Sequence, residues 1–235
     1  MDLSVPGQAL AVGAHADDIE FGCGATLAKW AAAGAEIHLC VLTNGSKGSW
    51  DPETDPAELT AVRRREQAAA ADILGAKAVH FLDLVDGELV NGHDERGALT
   101  HVIRQMRPEV VLGHDPWKRY RLHPDHRAAG FLTIDAIVAA RDPHFFPGRG
   151  DPWRPTTLLL FEAEVVDHVE DVSAHLDAKV AALLEHRSQW RSTMAIDPDN
   201  PDTEAFAATV RAEAEAAGAQ SGLALAEAFK LIEPL

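Results

Sequence analysis

Cysteine, tyrosine and positive charge are all scarce in this chain. Of its 235 residues two are cysteines and one is a tyrosine, and 21 lysines and arginines stand against 37 aspartates and glutamates, a formal net charge of −16. Cys23 and Cys40 are not spaced as a C-x-x-C pair, which argues against a disulfide framework or a thiolate zinc knuckle. Cys40 lies in an apolar run and reads as small core filler, and Cys23 is read the same way in preference to a metal ligand or an oxidation-sensitive thiol. The shortage of cations argues against nucleic acid and anionic membrane surfaces as partners, since both demand basic patches. No apolar run approaches the roughly 20 residues that span a bilayer, and the opening MDLSVPGQAL has no basic region followed by an apolar core. The expected location is therefore the cytoplasm. Repeats and low-complexity tails are also missing, and the length suits one α/β domain, 1–235, with room for a sizeable core.

What is present is organised around Ala9 to Trp30, ALAVGAHADDIEFGCGATLAKW. The unbroken apolar run from Ala9 to Ala14 is the pattern of a parallel strand covered on both faces. It stops at His15, Asp17 and Asp18, after which the sequence turns amphipathic and helical. In open α/β sheets, ligands bind at the carboxyl ends of strands, where the following helix points its N-terminus into the crevice. Taken alone, the turn reads equally well as a helix cap, because aspartate favours such positions. A second cluster, His123-Pro124-Asp125-His126, changes the balance. It follows the strand-like run Val110 to Gly113 and opens another helix, with its two histidines on one face. Together the two turns could supply a hydrolytic zinc site, which takes three protein ligands and leaves a fourth position for water. They offer more donors than three, and spacing does not say which ones bind.

The sequence His15-Ala16-Asp17-Asp18-Ile19-Glu20, followed by Gly22-Cys23-Gly24-Ala25-Thr26-Leu27, resembles the H-P-D-D-x-E signature of the LmbE-like, or PIG-L-type, zinc deacetylases. His123-Pro124-Asp125-His126 resembles their second signature. Weaker similarities run nearly end to end: Arg63-x-x-Glu66, Leu74-Gly75, Asp86-Gly87, Arg107-Pro108 and His186-Arg187-Ser188-Gln189. The resemblance implies a three-layer, Rossmann-like α/β/α domain with a mostly parallel sheet and a metal at the carboxyl ends of strands one and four. It implies His15, Asp18 and His126 as metal ligands, Asp17 as general base, His123 as the group that polarises or protonates, and Asp125 as its orienting partner. Arg63 and Asp86 become candidate substrate contacts. Zinc is the implied metal, with Fe(II) as a substitute in the cell, and a homo-oligomer is expected. Ala16 departs from the usual proline, and Tyr120 stands three residues ahead of His123, where some members have a tyrosine near the substrate.

Along the rest of the chain, strands are expected at 37–42, 78–82, 109–113, 157–161 and 168–172. Helices are expected at 56–74, 94–107, 124–140, 173–189, 203–217 and 223–231. The loop Thr43 to Gly48 lacks phosphate-cradle spacing, and Gly22-Cys23-Gly24 lacks the third glycine of a dinucleotide fingerprint. His114 and Asp115 read as a hydrogen-bonded pair behind the metal, and His186 as a structural histidine. Arg141 to Pro155 holds four prolines, two phenylalanines and a tryptophan, an irregular stretch expected as a lid or an oligomer contact. The implied function is removal of an N-acyl, most simply N-acetyl, group from a small glucosamine-containing molecule. A metallohydrolase of another ester or amide bond and a non-catalytic metal- or nucleotide-binding module are the alternatives.

Overall fold

The apolar runs become parallel strands because helices cover both faces of the sheet they form. In the computed structural model, which describes residues 2–219 and 221–235, the strands are β1 (Gln8–Gly13), β2 (Glu36–Thr43), β3 (Ala78–Leu84), β4 (Val110–His114), β5 (Thr157–Phe161), β6 (His168–Asp171) and β7 (Ala226–Ile232). The helices are α1 (Asp18–Ala32), α2 (Pro56–Ile73), α3 (His93–Met106), α4 (Pro124–Arg141), α5 (Leu176–Leu184) and α6 (Thr203–Ala219). Sheet order is β3-β2-β1-β4-β5-β7-β6, with the first five strands parallel and β7 antiparallel to both neighbours. Strand order reverses between β1 and β4, and the crevice at such a switch point lies over their carboxyl ends.

Alternation along the strands divides the core. Leu10, Val12, Val111, Leu158 and Leu160 pack beneath α3 and α4. Ala9, Ala11, Leu39, Leu112 and Leu159 pack beneath α1, through Ile19, Leu27 and Trp30. The expected three layers are therefore present. Among the described residues, no helix is long and apolar enough to cross a membrane.

Three expectations about the second half need correction. Residues 223–231 are not a helix. The alanine-rich segment has helical propensity, but the slot between β5 and β6 imposes extended pairing, and Phe229 enters the core. The helix expected at 173–189 ends at Leu184, followed by a separate 3₁₀ turn at Arg187–Gln189. The loop Asp142–Pro155 is not a lid. α4 starts at the crevice and carries the chain to the opposite, amino-terminal edge of the sheet. There Trp153 Nε1 donates to the Pro108 carbonyl at 2.7 Å, just ahead of β4. The buried Arg104 of α3 gathers the loop by donating to the carbonyls of Ala139, Ala140, Asp142, Phe145, Phe146 and Gly150.

A further buried carboxylate repairs α1. The helix breaks at Cys23 (φ −152°, ψ 17°), freeing amides that Glu227 of β7 accepts: Ala25 N at 3.1 Å and Thr26 N at 2.7 Å. Lys179 of α5 pairs with Glu227 at 2.7 Å.

Candidate metal centre and active site

β1 ends where the chain must double back sharply into α1. A Cβ on Gly13 would stand 2.9 Å from Ile19 Cγ1 and 3.1 Å from Asp18 Cβ, so only glycine lets the turn close this tightly. The next residues are buried and polar. Asp17 occupies the cap position of α1 at φ 95°, ψ −29°, outside the conformations ordinary residues prefer, yet its side chain makes no capping bond. That departs from the plain helix-cap reading: the carboxylate faces the cavity instead of the helix end. Strained backbone of this kind costs about 1–3 kcal/mol and gathers at functional sites.

Three side chains from the two turns converge. His15 Nδ1 lies 3.3 Å from Asp18 Oδ2, His126 Nε2 lies 3.2 Å from Asp18 Oδ1, and the two ring nitrogens are 3.3 Å apart. Donors on a tetrahedral metal with bonds of about 2.0–2.1 Å are separated by about 3.3 Å, so His15, Asp18 and His126 fit a zinc-sized ion. Two overlapping groups, His15–His123–Asp125 and His114–His126–Glu162, also come close. Hydrogen bonding favours the first set, because the outer nitrogen of His15 is already engaged: Nε2 meets Asp86 Oδ1 at 3.1 Å and Asp125 Oδ2 at 3.2 Å. A histidine whose far nitrogen donates to carboxylates presents the other as a ligand.

Asp125 is thus placed differently from its expected role. Its carboxylate accepts from the amides of Gly87 (2.7 Å) and Leu89 (3.3 Å) and orients His15, not His123. It is fully buried at the start of α4, and the loop after β3 supplies those amides. His123 caps α4 instead, its Nδ1 accepting from Asp125 N at 3.3 Å. With Nδ1 accepting, the proton of the neutral ring lies on Nε2. Asp86 has one oxygen on His15 and the other on the Lys47 amide at 2.9 Å. Arg63 donates to Ala16 O at 2.6 Å and Gly45 O at 3.3 Å, and stands 3.6 Å from Asp17.

The pair expected between His114 and Asp115 does not form: His114 backs the metal set, with Nε2 3.3 Å from Asp18 and Nδ1 3.3 Å from Glu162. Asp115 does not join it and holds the amides of Trp117 and Glu164. Glu162, Gln67 and Glu20 are participants that the sequence reading passed over. Glu162 had a positional signal, standing one residue past the carboxyl end of β5. Glu20 closes the first signature but was given no role there, and Gln67 had no signal, because what both do depends on helix packing.

The electrostatics divide the carboxylates. Burial pushes Asp17 up to about 6, although Arg63 pulls it down. Burial acts upward on Asp18 too, but the rings of His126 and His114 outweigh it and hold that carboxyl well below the usual range. Asp86 falls to about 2, as the hydrogen bond from His15 overcomes burial. Burial takes His126 down to about 4 and, with the neighbouring His15, lowers His123. Burial thus favours a neutral His126 and the rings an ionised Asp18, the forms that bind metal. Against burial, the carboxylates of Asp125, Asp18 and Asp86 hold His15 well above its ordinary value, so an ion taking its place there displaces a proton from His15. Above the centre opens a cavity of about 830 Å³ lined by Asp17, His123, Arg63, Trp50, Gln189 and Glu213 among others, with no contribution from 141–155 among the described residues.

A His/Asp/His donor set at the switch point of a mostly parallel sheet, beside an uncapped carboxylate, defines an α/β protein of metallohydrolase type. The chain belongs to the PIG-L family, described as GlcNAc-PI de-N-acetylase, whose model matches residues 10–137. It is 36% identical over 185 residues to the diacetylchitobiose deacetylase of Thermococcus kodakarensis, covering 77% of this chain and 69% of that one. The N,N'-diacetylchitobiose deacetylase structure from Pyrococcus horikoshii superimposes with a TM-score of 0.88 at 28% identity, over 97% of this chain and 84% of that one. The 4-carboxy-2-hydroxymuconate hydratase of Pseudomonas putida KT2440 gives 0.80 at 26% identity, over 97% of both chains.

Proposed function

We propose that the protein is a metal-dependent hydrolase that removes an N-acetyl group from a small glucosamine-containing molecule or glycoconjugate. The observation that carries this reading is Asp17, a buried carboxylate with no capping duty beside three donors spaced 3.2–3.3 Å apart. Family membership supports the N-acetyl amide as the bond.

His15, Asp18 and His126 would hold the ion, zinc or Fe(II), which when bound supplies Lewis acidity and a water of lowered pKa. Asp17 takes a proton from the attacking water and returns it to the leaving amine, a task suited to a carboxylate whose pKa is close to the working pH. His123 directs its Nε2 proton at the amide oxygen and stabilises the negative charge that develops there. Asp125 and Asp86 keep His15 oriented. Arg63 and Asp86 also line the cavity and are assigned to the substrate's polar groups. The reading includes a single domain, 1–235, acting in the cytoplasm as a homo-oligomer. Exposed Trp50, Trp117, Tyr120 and Leu122 near the crevice support association between copies.

The test is mass spectrometry of zinc-loaded protein with N-acetylglucosamine, N,N'-diacetylchitobiose and an N-acetylglucosaminyl-inositol. Release of acetate with appearance of a free amine is expected from at least one of them. Inertness toward all three, together with addition of water to 4-carboxy-2-hydroxymuconate, would move the protein to the hydratase side of its fold.

A further inference from the structure

The peptide unit joining Ala16 to Asp17 is held at both poles by one helix. Its carbonyl accepts from Arg63 Nη2 at 2.6 Å, and its N–H donates to Gln67 Oε1 at 3.2 Å. Arg63 and Gln67 are four residues apart on α2 and so share a face. Gln67 is itself fixed: its Nε2 donates to Glu20 Oε1 at 2.6 Å, which settles which way its amide points. Behind Glu20, on its other oxygen, lies the fully buried His186 at 3.5 Å. The same face of α2 carries Glu66, which accepts from Ser188 N (2.8 Å) and Ser188 Oγ (2.6 Å), fastening the turn that presents His186.

We propose that Gln67, set by Glu20, is a positioning residue that clamps the 16–17 peptide plane and thereby aims the Asp17 carboxylate into the cavity. With the far side of the residue held in α1, clamping that peptide plane keeps the N–Cα bond of Asp17 at a φ of 95° that an aspartate does not keep unaided. Released, the backbone relaxes toward an ordinary helix-capping geometry and the carboxylate turns onto the amides of α1. Ala16 sharpens the need, because alanine leaves free the φ that a proline at this position would lock. The proposal rests on Asp17 as the base, and its test separates the two ideas.

The test uses Gln67→Met in the full-length, zinc-loaded protein. Expected are full metal content, KM within about threefold, and kcat lower by about 10–100-fold, the usual loss when a reacting group is misplaced by about 1 Å. In an Asp17→Asn background the same substitution should cost less than threefold more, since both changes act through one carboxylate. A purely structural role would instead add its full factor. Hydrogen exchange of the Asp17 amide gives a readout independent of activity: slow in wild type, accelerated at least tenfold in Gln67→Met. Wild-type kcat with unchanged protection in Gln67→Met overturns the clamp while leaving Asp17 as the base. Full activity of Asp17→Asn overturns the base, and amide exchange alone then decides the clamp. If Gln67→Met does not fold, exchange in the wild type decides it, and an Asp17 amide exchanging at the solvent rate overturns it.

Discussion

Arg63 and Arg104 are both buried arginines that spend their guanidinium groups on backbone carbonyls, and they stand at opposite ends of the sheet. Arg104 serves six carbonyls at the amino-terminal edge, with no carboxylate partner among the described residues. Arg63 serves two at the carboxyl-terminal edge, keeps its Nε unpartnered and faces a carboxylate 3.6 Å away. The first arrangement is saturated, and a saturated network fixes a loop and does nothing else. The second keeps capacity in reserve. Half of the eight buried polar side-chain atoms without a partner, among the described residues, belong to Glu20, Arg63 and His186 behind the metal turn. Each such atom is costly, so a fold that concentrates them in one place stores polarity where chemistry is done.

The contrast can be broken most forcefully at the crevice. His126→Ala should lose most bound metal by elemental analysis, and all measurable deacetylation with it; retention of full stoichiometry would remove His126 from the ligand set. Next, Asp17→Asn should keep its metal while kcat falls by about 10²–10⁴-fold, the usual worth of general acid–base catalysis. In the zinc-loaded wild type, kcat/KM should decline toward acid pH as Asp17 takes up its proton, with the midpoint below the value of about 6 that burial gives the metal-free carboxyl, because a neighbouring dication favours the carboxylate. The linkage sign follows from a folded value above the ordinary 3.8. The folded state then binds more protons between those two pH values, so Asp17 erodes stability as pH rises through that window. Metal-free Asp17→Asn should consequently be more stable than the metal-free wild type at pH 7, by on the order of 2–3 kcal/mol, and not at pH 3. An equal difference at both pH values would show that Asp17 is not held up by burial.

At the other end the expected effects change kind. Arg104→Met should cost about 3–4 kcal/mol through stranded carbonyls, lowering Tm by roughly 6–15 °C, with kcat per folded molecule unchanged. A kinetic defect in the folded fraction would erase the distinction between the two ends. The smallest effect belongs to Phe145→Ala. This half-exposed side chain should shift stability by less than about 0.5 kcal/mol and leave KM unaltered. A raised KM would return the loop to the crevice.

The legible parts of the molecule were those governed by local rules. Ala9–Ala14 and Val110–Gly113 announced buried parallel strands, and polar turns after them announced the crevice, because strand burial and switch-point geometry are written in short apolar runs. Residues whose meaning depends on distant partners were illegible. Alanine-rich 223–231 looks helical until the slot between β5 and β6 is known. Asp125 looks like a partner for its neighbour His123 until the Gly87 and Leu89 amides arrive from another loop to turn it toward His15. His186 reads as an ordinary histidine because nothing nearby in sequence reveals that α1 brings Glu20 against it, with Gln67 of α2 on the carboxylate's other oxygen.

The repair of α1 by Glu227 has a consequence in time. The amides of Ala25 and Thr26 find their acceptor 202 and 201 residues later. At roughly 5–20 residues per second of synthesis, the first helix waits roughly 10–40 s for the strand that completes it. The metal turn at its head shares that delay. A nascent chain halted at residue 225 would carry all the proposed ligands, while the helix that presents Asp18 still lacked the carboxylate that mends its break. Completion of α1 is thereby tied to the arrival of β7, the last strand to be made.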